Sequence, residues 1–398
     1  MYKQTIGFCM STYEMEPLMP EEGNKDLEDL AIDITVKATN LNQQLKPQVI
    51  EAIGNLVCSM NCYYSNLIED HYTHPIDIEK ALKEDYSTIP EKRELQLEAK
   101  AHIEVQKLIE LNIKESDFLS PDYIKWIHHE FYTRLPAEIR QVENPKSGET
   151  KEVIPGEFRK THVQIGRHIP PDAEQIESFL KRFQTVYNPE NHSKVRQIIA
   201  IPASHQRFSW IHPFYDGNGR VVRLLSHAYF LKIGLGSSMW SVSRGLARTV
   251  NEYKSLLALA DQSRKNDFDG RGNLSASALL EFCQYFLTTC IDQIDFMSSL
   301  LKPESLLDRI EKYTYEEIEK KNLHPGSFNL LREAYYTGEI ERGKVSQITG
   351  YAERQARKVL TKLLDNQLLA SDTLRGPVKL NFPVSILDSW FPNLFPEK

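Results

Sequence analysis

The string His212-Pro213-Phe214-Tyr215-Asp216-Gly217-Asn218-Gly219-Arg220, followed one turn on by Arg223, leaves the chain few ways to fold around it. Proline disfavours helical geometry in the residue before it, so the apolar pattern of Ala200, Phe208 and Ile211 predicts a helix ending near His212. The imidazole then stands at the mouth of a loop. Gly217 and Gly219 bracket Asn218, and glycine admits the positive-φ turns that aim successive N–H groups at one point. Val222, Leu225, Ala228 and Tyr229 recur at helical spacing, so the chain re-enters a helix whose N-terminus is itself an anion site. Arg220 and Arg223, three apart, share a face of its first turns. A base, a carboxylate, a backbone anion site and two guanidiniums thus lie within twelve positions. Such a set can hold a polyphosphate and deprotonate an attacking hydroxyl.

Singly these pieces are ordinary: Gly-Asn-Gly is usually a turn, His-Pro a helix end, and paired arginines a solvated face. Jointly they resemble the motif of the Fic family, HxFx(D/E)GNGRxxR, at every constrained position. The resemblance implies transfer of AMP from ATP to a Ser, Thr or Tyr hydroxyl of a target protein or of the chain itself, releasing pyrophosphate. It makes His212 the general base, Asp216 the Mg²⁺ ligand and Phe214 a core anchor. It assigns Gly217, Asn218 and Gly219 to the α- and β-phosphates, Arg220 to the triphosphate tail and Arg223 to the γ-phosphate. The chemistry suits those roles, since imidazole titrates near neutrality, Mg²⁺ takes a carboxylate plus phosphate oxygens, and Arg forks match phosphate geometry. Competing patterns fail: Gly234-Leu235-Gly236 lacks the third glycine of a dinucleotide fingerprint, no Walker-type run exists, and His128-His129-Glu130 has the wrong spacing for a zinc protease helix.

Upstream, Ser65-Asn66-Leu67-Ile68-Glu69 resembles the (S/T)xxxE core of the inhibitory helix found in many Fic proteins, with Asp70 and His71 departing from the family's usual continuation. The resemblance implies that Ser65 and Glu69 form an inhibitory element in which Glu69 pairs with Arg223 and takes the γ-phosphate position. Between Pro155 and Pro171, alternation around Val163 and Ile165 predicts a short hairpin. It resembles the Fic flap, so Val163, Gln164, Ile165 and Gly166 are expected to align a target segment by main-chain pairing. His162 and His168 read as flap surface. Residues 253–261 sit where the family borders the adenine, which makes Tyr253 and Asp261 candidate base contacts.

With 398 residues and 41% hydrophobic composition the chain can build two or three cored domains. The N-terminus has no long apolar stretch, and the run from Leu224 is interrupted by His227 and Lys232, so a cytoplasmic protein without membrane insertion is expected. Cys9, Cys58, Cys62, Cys283 and Cys290 are odd in number and not in Cys-x-x-Cys spacing, hence read as buried thiols. A net charge of -7 opposes wholesale nucleic-acid coating but leaves room for a local basic patch.

Helical periods over Leu27, Leu30, Ile34, Ala38 and Leu41, and over Val49, Ile53, Leu56 and Met60, predict two N-terminal helices; a third pattern starts at Ile76 and leads through Leu95 to Ile113. After Pro325-Gly326, Val345 to Ile348, Gly350 and residues 354–364 fit a helix-turn-helix, and residues 368–382, with Gly376-Pro377 at the tip, fit a wing. Lys344, Arg354, Arg357, Lys358 and Lys362 face Glu353 and Asp365, a local positive excess open to a DNA or a protein contact. The expected fold is mostly α: a Fic-type helical core with a β-hairpin flap, plus a C-terminal winged helix-turn-helix domain. Its expected divisions are an N-terminal helical region with the inhibitory helix (1–110), a catalytic core (111–300), a helical linker (301–326) and the winged-helix domain (327–398). The leading functional expectation is an ATP- and Mg²⁺-dependent adenylyltransferase restrained by Glu69. The alternatives are a de-AMPylase using the same site, and a DNA-binding regulator with a nucleotide-sensing Fic region. Partners open to the chain are a target protein at the flap, a second copy of itself, and DNA or protein at the C-terminal domain.

Overall fold

A computed structural model describes residues 11–395 apart from 44, 144–147, 149 and 237. Helix α1 (Lys25–Gln43) buries Leu27, Ile34, Ala38 and Leu41 of the period seen in the sequence, with Ala31 rather than the half-buried Leu30 completing the face. Proline opens α2 (Pro47–Ile68), α3 (Pro75–Leu82), α4 (Pro90–Asn112) and α5 (Pro121–Thr133), where a missing N–H costs nothing and φ is already helical. The expectation of one pattern running from Ile76 to Ile113 is corrected here: Pro90 starts a new helix, and a turn between Leu82 and Pro90 separates α3 from α4. Cys9 lies outside the described residues, and the other four cysteines are buried and free.

After α6 (Ile176–Tyr187) come α7 (Lys194–Ile211) and α8 (Asn218–Lys232), the two helices that flank the motif. Ser193 caps α7 by accepting from the Arg196 N–H. Both helices are buried almost all round, as expected of helices at the centre of a core. Around α7 pack α1, α6, α10 (Val250–Ala260) and α11 (Ala276–Leu301), around α8 pack α2, α4 and α5, and α9 (Ser243–Arg248) sits against α2 and α11. The six-residue loop from His212 to Gly217 is therefore slung between two elements that have little freedom to move.

A two-stranded antiparallel hairpin, β1 (Gln141–Glu143) with β2 (Thr150–Glu152), precedes the flap. The flap is smaller than the expected hairpin: one antiparallel bridge joins Ile165 to His168 around Gly166, whose φ of 58° suits glycine.

The chain continues through α12 (Pro303–Glu319), α13 (Ser327–Thr337), β3 (Glu339–Ile340), α14 (Val345–Thr349), α15 (Glu353–Asp365), β4 (Leu369–Ala370), β5 (Val378–Leu380) and α16 (Leu387–Trp390). The sheet order β3-β5-β4 and the left-handed Gly350 between α14 and α15 give the element order expected of a helix-turn-helix with a wing. This C-terminal part braces α2 from outside. Tyr64 donates to the Leu394 carbonyl (3.0 Å), Phe395 packs edge-on to Tyr63, and Lys379 pairs with Glu51 (3.2 Å). Trp390 is fully buried, edge-on to Tyr313 and Phe382, and its carbonyl accepts from Arg309 at 2.7 Å. Trp390→Ala should therefore destabilise the protein by about 3–5 kcal/mol, the usual cost of emptying an aromatic site. Urea unfolding followed by circular dichroism measures it, and a loss under about 1 kcal/mol would show that the tail is not part of the core.

Candidate active site

His212 ends α7 in the left-handed region (φ 47°, ψ 62°), a conformation uncommon for a non-glycine residue. Three contacts hold it there: its N–H donates to the Phe208 carbonyl (3.0 Å), Arg159 Nε donates to its own carbonyl (2.9 Å), and the Arg159 N–H donates to the Pro213 carbonyl (2.9 Å). The fully enclosed Arg159 also donates to the carbonyls of Thr161 and Pro171, so one side chain ties the motif loop to both ends of the flap.

Phe214 is fully buried and stacks on His128 at 3.9 Å between ring centres, which is the anchoring expected of it. Asn218 uses its side chain within the loop. Its side-chain Oδ1 accepts from the Phe214 N–H (3.0 Å) and its Nδ2 donates to the Phe214 carbonyl (2.9 Å), so the side chain staples the loop and only its backbone N–H is left for an anion. Gly217 is obligatory twice over: φ is 79°, and a Cβ there would press on the Tyr132 ring.

Asp216 is the one carboxylate of the loop, and its side chain is 46% exposed. Burial pushes its carboxyl up, but Arg220, the Tyr132 hydroxyl and the Gly217 N–H outweigh this and hold it below the ordinary carboxylate range, hence ionised. Tyr132 donates to Asp216 Oδ2 at 2.6 Å. Among the described residues no three His, Cys, Asp or Glu side chains are grouped to hold a metal. Mg²⁺ needs no such cage when one or two carboxylates act together with substrate phosphates, and a single accessible, ionised Asp216 beside an anion loop fits that mode.

Arg220 is buried between Glu98 (3.5 Å) and Asp216 (3.8 Å), with its Nε and Nη1 lacking hydrogen-bond partners among the described residues. Glu98 also receives His71 (2.6 Å), whose pKa that hydrogen bond raises. His71 thus finds a partner where the motif departs from its relatives, and its N–H closes the end of α2 on the Asn66 carbonyl (2.9 Å).

Arg223, also buried, is gripped by α2 and by Glu69 at its end. Its Nε donates to Ser65 Oγ (2.9 Å), and its Nη2 donates to the Ser65 carbonyl (3.0 Å) and to Glu69 Oε1 (2.7 Å). Burial raises the Glu69 carboxyl, yet the charge and hydrogen bond of Arg223, with Arg220 behind it, hold it below its ordinary value. The carboxylate lies against Gly219 so closely that any Cβ there would collide with it. Glu69 therefore occupies the positive end of α8, the place where an anionic ligand would sit.

These groups face a cavity of about 1140 Å³ lined by Glu69, Gly166, His212, Gly219, Arg223 and Tyr253, among others. Asn218, Ile165 and Asp261 also reach it, whereas Val163, Gln164, Asp216, Gly217 and Arg220 do not line its wall. Tyr253 is buried with its hydroxyl on His205 Nε2 (2.7 Å), and Asp261 accepts from Gln206 (2.8 Å), so both present edges rather than free side chains. His168 donates from Nε2 to the Trp210 carbonyl (2.7 Å) and fixes the flap base, while His162 is exposed. Sequence reasoning missed Tyr132, Arg159 and Glu98; each is a polar residue far from the motif in sequence, and only Arg159, beside the flap glycine, carried a nearby signal.

Burial, with the charges of Arg159 and His168, lowers the His212 pKa to about 4. The imidazole is thus neutral, the form a general base requires, throughout the physiological range.

Residues 118–230 match the Fic/DOC family. Among curated proteins, the chain is similar to protein adenylyltransferase Fic of Drosophila grimshawi, 31% identical over 97 residues, and of Drosophila melanogaster, 32% identical over 97 residues. Each match takes in 24% of this chain and 20% of the relative, so the chain spans about a fifth of those proteins. Among solved structures, Fic-1 from C. elegans aligns with a TM-score of 0.52 at 18% identity, over 69% of this chain and 73% of that one. A Fic family protein from Desulfovibrio desulfuricans G20 aligns with a TM-score of 0.50 at 15% identity, over 92% of this chain and 98% of that one. These likenesses concern the mostly helical fold.

Besides His212, burial lowers His102, His128 and His205 to about 3. Their folded pKa values lie below the unfolded value of roughly 6.5, so below that pH the unfolded chain binds protons that the folded chain refuses. Stability is therefore complete above pH 6.5 and falls as the pH drops toward 4, by on the order of 2 kcal/mol per buried imidazole at pH 5. Thermal melts between pH 7.5 and 5 should show a steadily falling midpoint, and His205→Gln should flatten the slope. A midpoint independent of pH over that range would contradict the neutral, buried assignment.

Proposed function

Because this chain belongs to the Fic family, we propose that it is a protein adenylyltransferase that transfers AMP from ATP to a protein hydroxyl and is held back by Glu69. The observation that carries the reading is convergence on one cavity: a neutral imidazole, the N-terminus of α8 and the Arg223 guanidinium face the same space, with a carboxylate seated where phosphate would go. The adenylyltransferase name borne by the relatives supports it.

In this reading the ATP phosphates lie along the N–H groups of Gly217, Asn218 and Gly219, with Arg220 behind them and Arg223 on the γ-phosphate. Asp216 would hold Mg²⁺ against phosphate oxygens, and the ion would offset charge as pyrophosphate leaves. His212 accepts the proton of the target hydroxyl as its oxygen forms a bond to the α-phosphorus and the bond to pyrophosphate breaks. Arg159 fixes the direction of the imidazole by holding the His212 carbonyl. Tyr132 keeps Asp216 in place through its hydroxyl. Residues 163–166 lend main chain to the target segment, and Tyr253 and Asp261 border the base. We read the C-terminal helices and three-stranded sheet as a winged helix whose role is to brace α2.

Replacing the base tests the reaction. In a Glu69→Gly background, His212→Ala should lower AMP transfer by about 10² to 10⁴-fold, the range for a lost general base. ATP binding by calorimetry should persist, since the phosphate contacts lie elsewhere. Transfer within a few fold of the His212 parent would remove His212 from the chemistry.

A further inference from the structure

Beyond the site, the loop between α10 and α11 presents Phe268 with 98% of its surface exposed, although the loop is well fastened. Ser263 and Leu274 close its base as an antiparallel bridge, and the Arg264 N–H donates to the Asn273 carbonyl (3.0 Å). The N–H groups of Asn273 and Leu274 both reach the Glu16 carbonyl. Inside, Asp269 is buried and accepts from the Lys265 N–H and the Ser277 N–H, each at 2.9 Å. A loop this constrained displays its aromatic tip in a fixed place, so an interaction at the tip would cost little ordering entropy. A single bare aromatic is ordinary by itself, but this one is held at the tip of a fastened loop whose base lines the mouth of the site, where an anchor would act.

Position and charge point to the partner. Gln262, Ser263, Asn273 and Leu274, the base of the loop, line the same cavity as His212. Across the mouth stands the flap, with Ile169 64% exposed. Around this rim Arg264, Lys265 and Arg271 on the loop and Arg167 on the flap are exposed. Of these four, only Arg264 has an ion-pair partner among the described residues, Asp267 at 3.5 Å. Glu14 and Asp261 are acidic residues on the cavity wall, both partly buried and below the exposed rim, and Lys254 is already matched with Asp70 (3.9 Å). A locally cationic rim on a chain of net charge -7 selects for acidic surface.

We propose that the 262–274 loop is the docking element for the protein substrate, recognising an acidic surface with an apolar recess that receives Phe268 beside the hydroxyl to be modified. The inference rests on the adenylyltransferase reading and adds to it the class of target. It gives the enzyme a second handle on its substrate besides the flap: the flap aligns the segment bearing the hydroxyl, and the loop selects the protein carrying it.

The test uses the full chain with Glu69→Gly as parent and labelled ATP with an extract of the source cells. Phe268→Ser and the pair Lys265→Glu with Arg271→Glu should each lower labelling of other proteins by at least about tenfold, in line with loss of an interfacial anchor. ATP affinity and self-labelling should stay within about twofold of the parent. Raising the salt should weaken labelling of others by the parent more than by the charge-reversed variant. Equal labelling of other proteins by parent and loop variants would overturn the docking role and leave the adenylyltransferase reading intact. Parallel loss of ATP binding in folded variants would assign the loop to the nucleotide, again against the proposal. A parent that labels neither itself nor any other protein would overturn the adenylyltransferase reading, and this inference with it.

Discussion

Arg223 is a guanidinium with almost no access to water, and a buried cation must be matched or it destabilises everything around it. Helix α2 matches it with three acceptors: the Ser65 hydroxyl, the Ser65 carbonyl and the Glu69 carboxylate. The spacing is dictated by the helix, since residues four apart lie one above the other and can grip a single fork. The same guanidinium projects from the first turns of α8, beside the N–H groups that make its N-terminus attractive to anions. In the proposed reading a carboxylate here both neutralises Arg223 in the resting chain and competes with phosphate for the same place. On that reading, phosphate entering the site would take the place of Glu69 on Arg223.

A second constraint sets the geometry of the base. His212 holds a left-handed backbone that its own side chain does not favour, and Arg159 and the Phe208 carbonyl supply the contacts that keep it there. Enclosure and the neighbouring charge of Arg159 also strip the proton from the imidazole. One buried arginine therefore fixes the direction of the proposed base and, after burial itself, helps to keep it neutral, and it anchors the flap at the same time. Orientation of this kind accounts for a large share of the barrier in reactions that proceed by positioning.

Much of this was legible in the sequence because the motif is local. His-Pro, the paired glycines and the two arginines lie within twelve residues, and Gly376-Pro377 marked the connection between β4 and β5 just as plainly. The Ser65 to Glu69 match, although 154 residues from Arg223, was legible because a five-residue pattern pointed at a known partner position. What escaped was non-local or quiet. Tyr132 and Glu98 reach the site from α5 and α4, and nothing in their immediate neighbours distinguishes them from ordinary amphipathic positions, while Arg159 lies in a loop marked only by Gly156. The β1–β2 hairpin has only polar and charged residues around Val142, so it lacks the apolar alternation that announces a strand. The break before Pro90 was written in the sequence but hidden by apolar spacing that continues across it. Asn218 illustrates a different limit: the pattern pointed to its backbone N–H, and only the structure shows that both functions of its amide serve the backbone of Phe214.

The central claim is that the Glu69 carboxylate, by holding Arg223, keeps a competent site from aligning its nucleotide. The most direct measurement is the incorporation of labelled AMP into protein by the wild-type chain and by Glu69→Gly at equal ATP and Mg²⁺. The account predicts a marked rise on removing the carboxylate, a smaller rise for Glu69→Asp if the shorter chain still reaches, and loss of the gain when Arg223→Ala is added to Glu69→Gly. Equal or lower incorporation by a folded Glu69→Gly protein would contradict it.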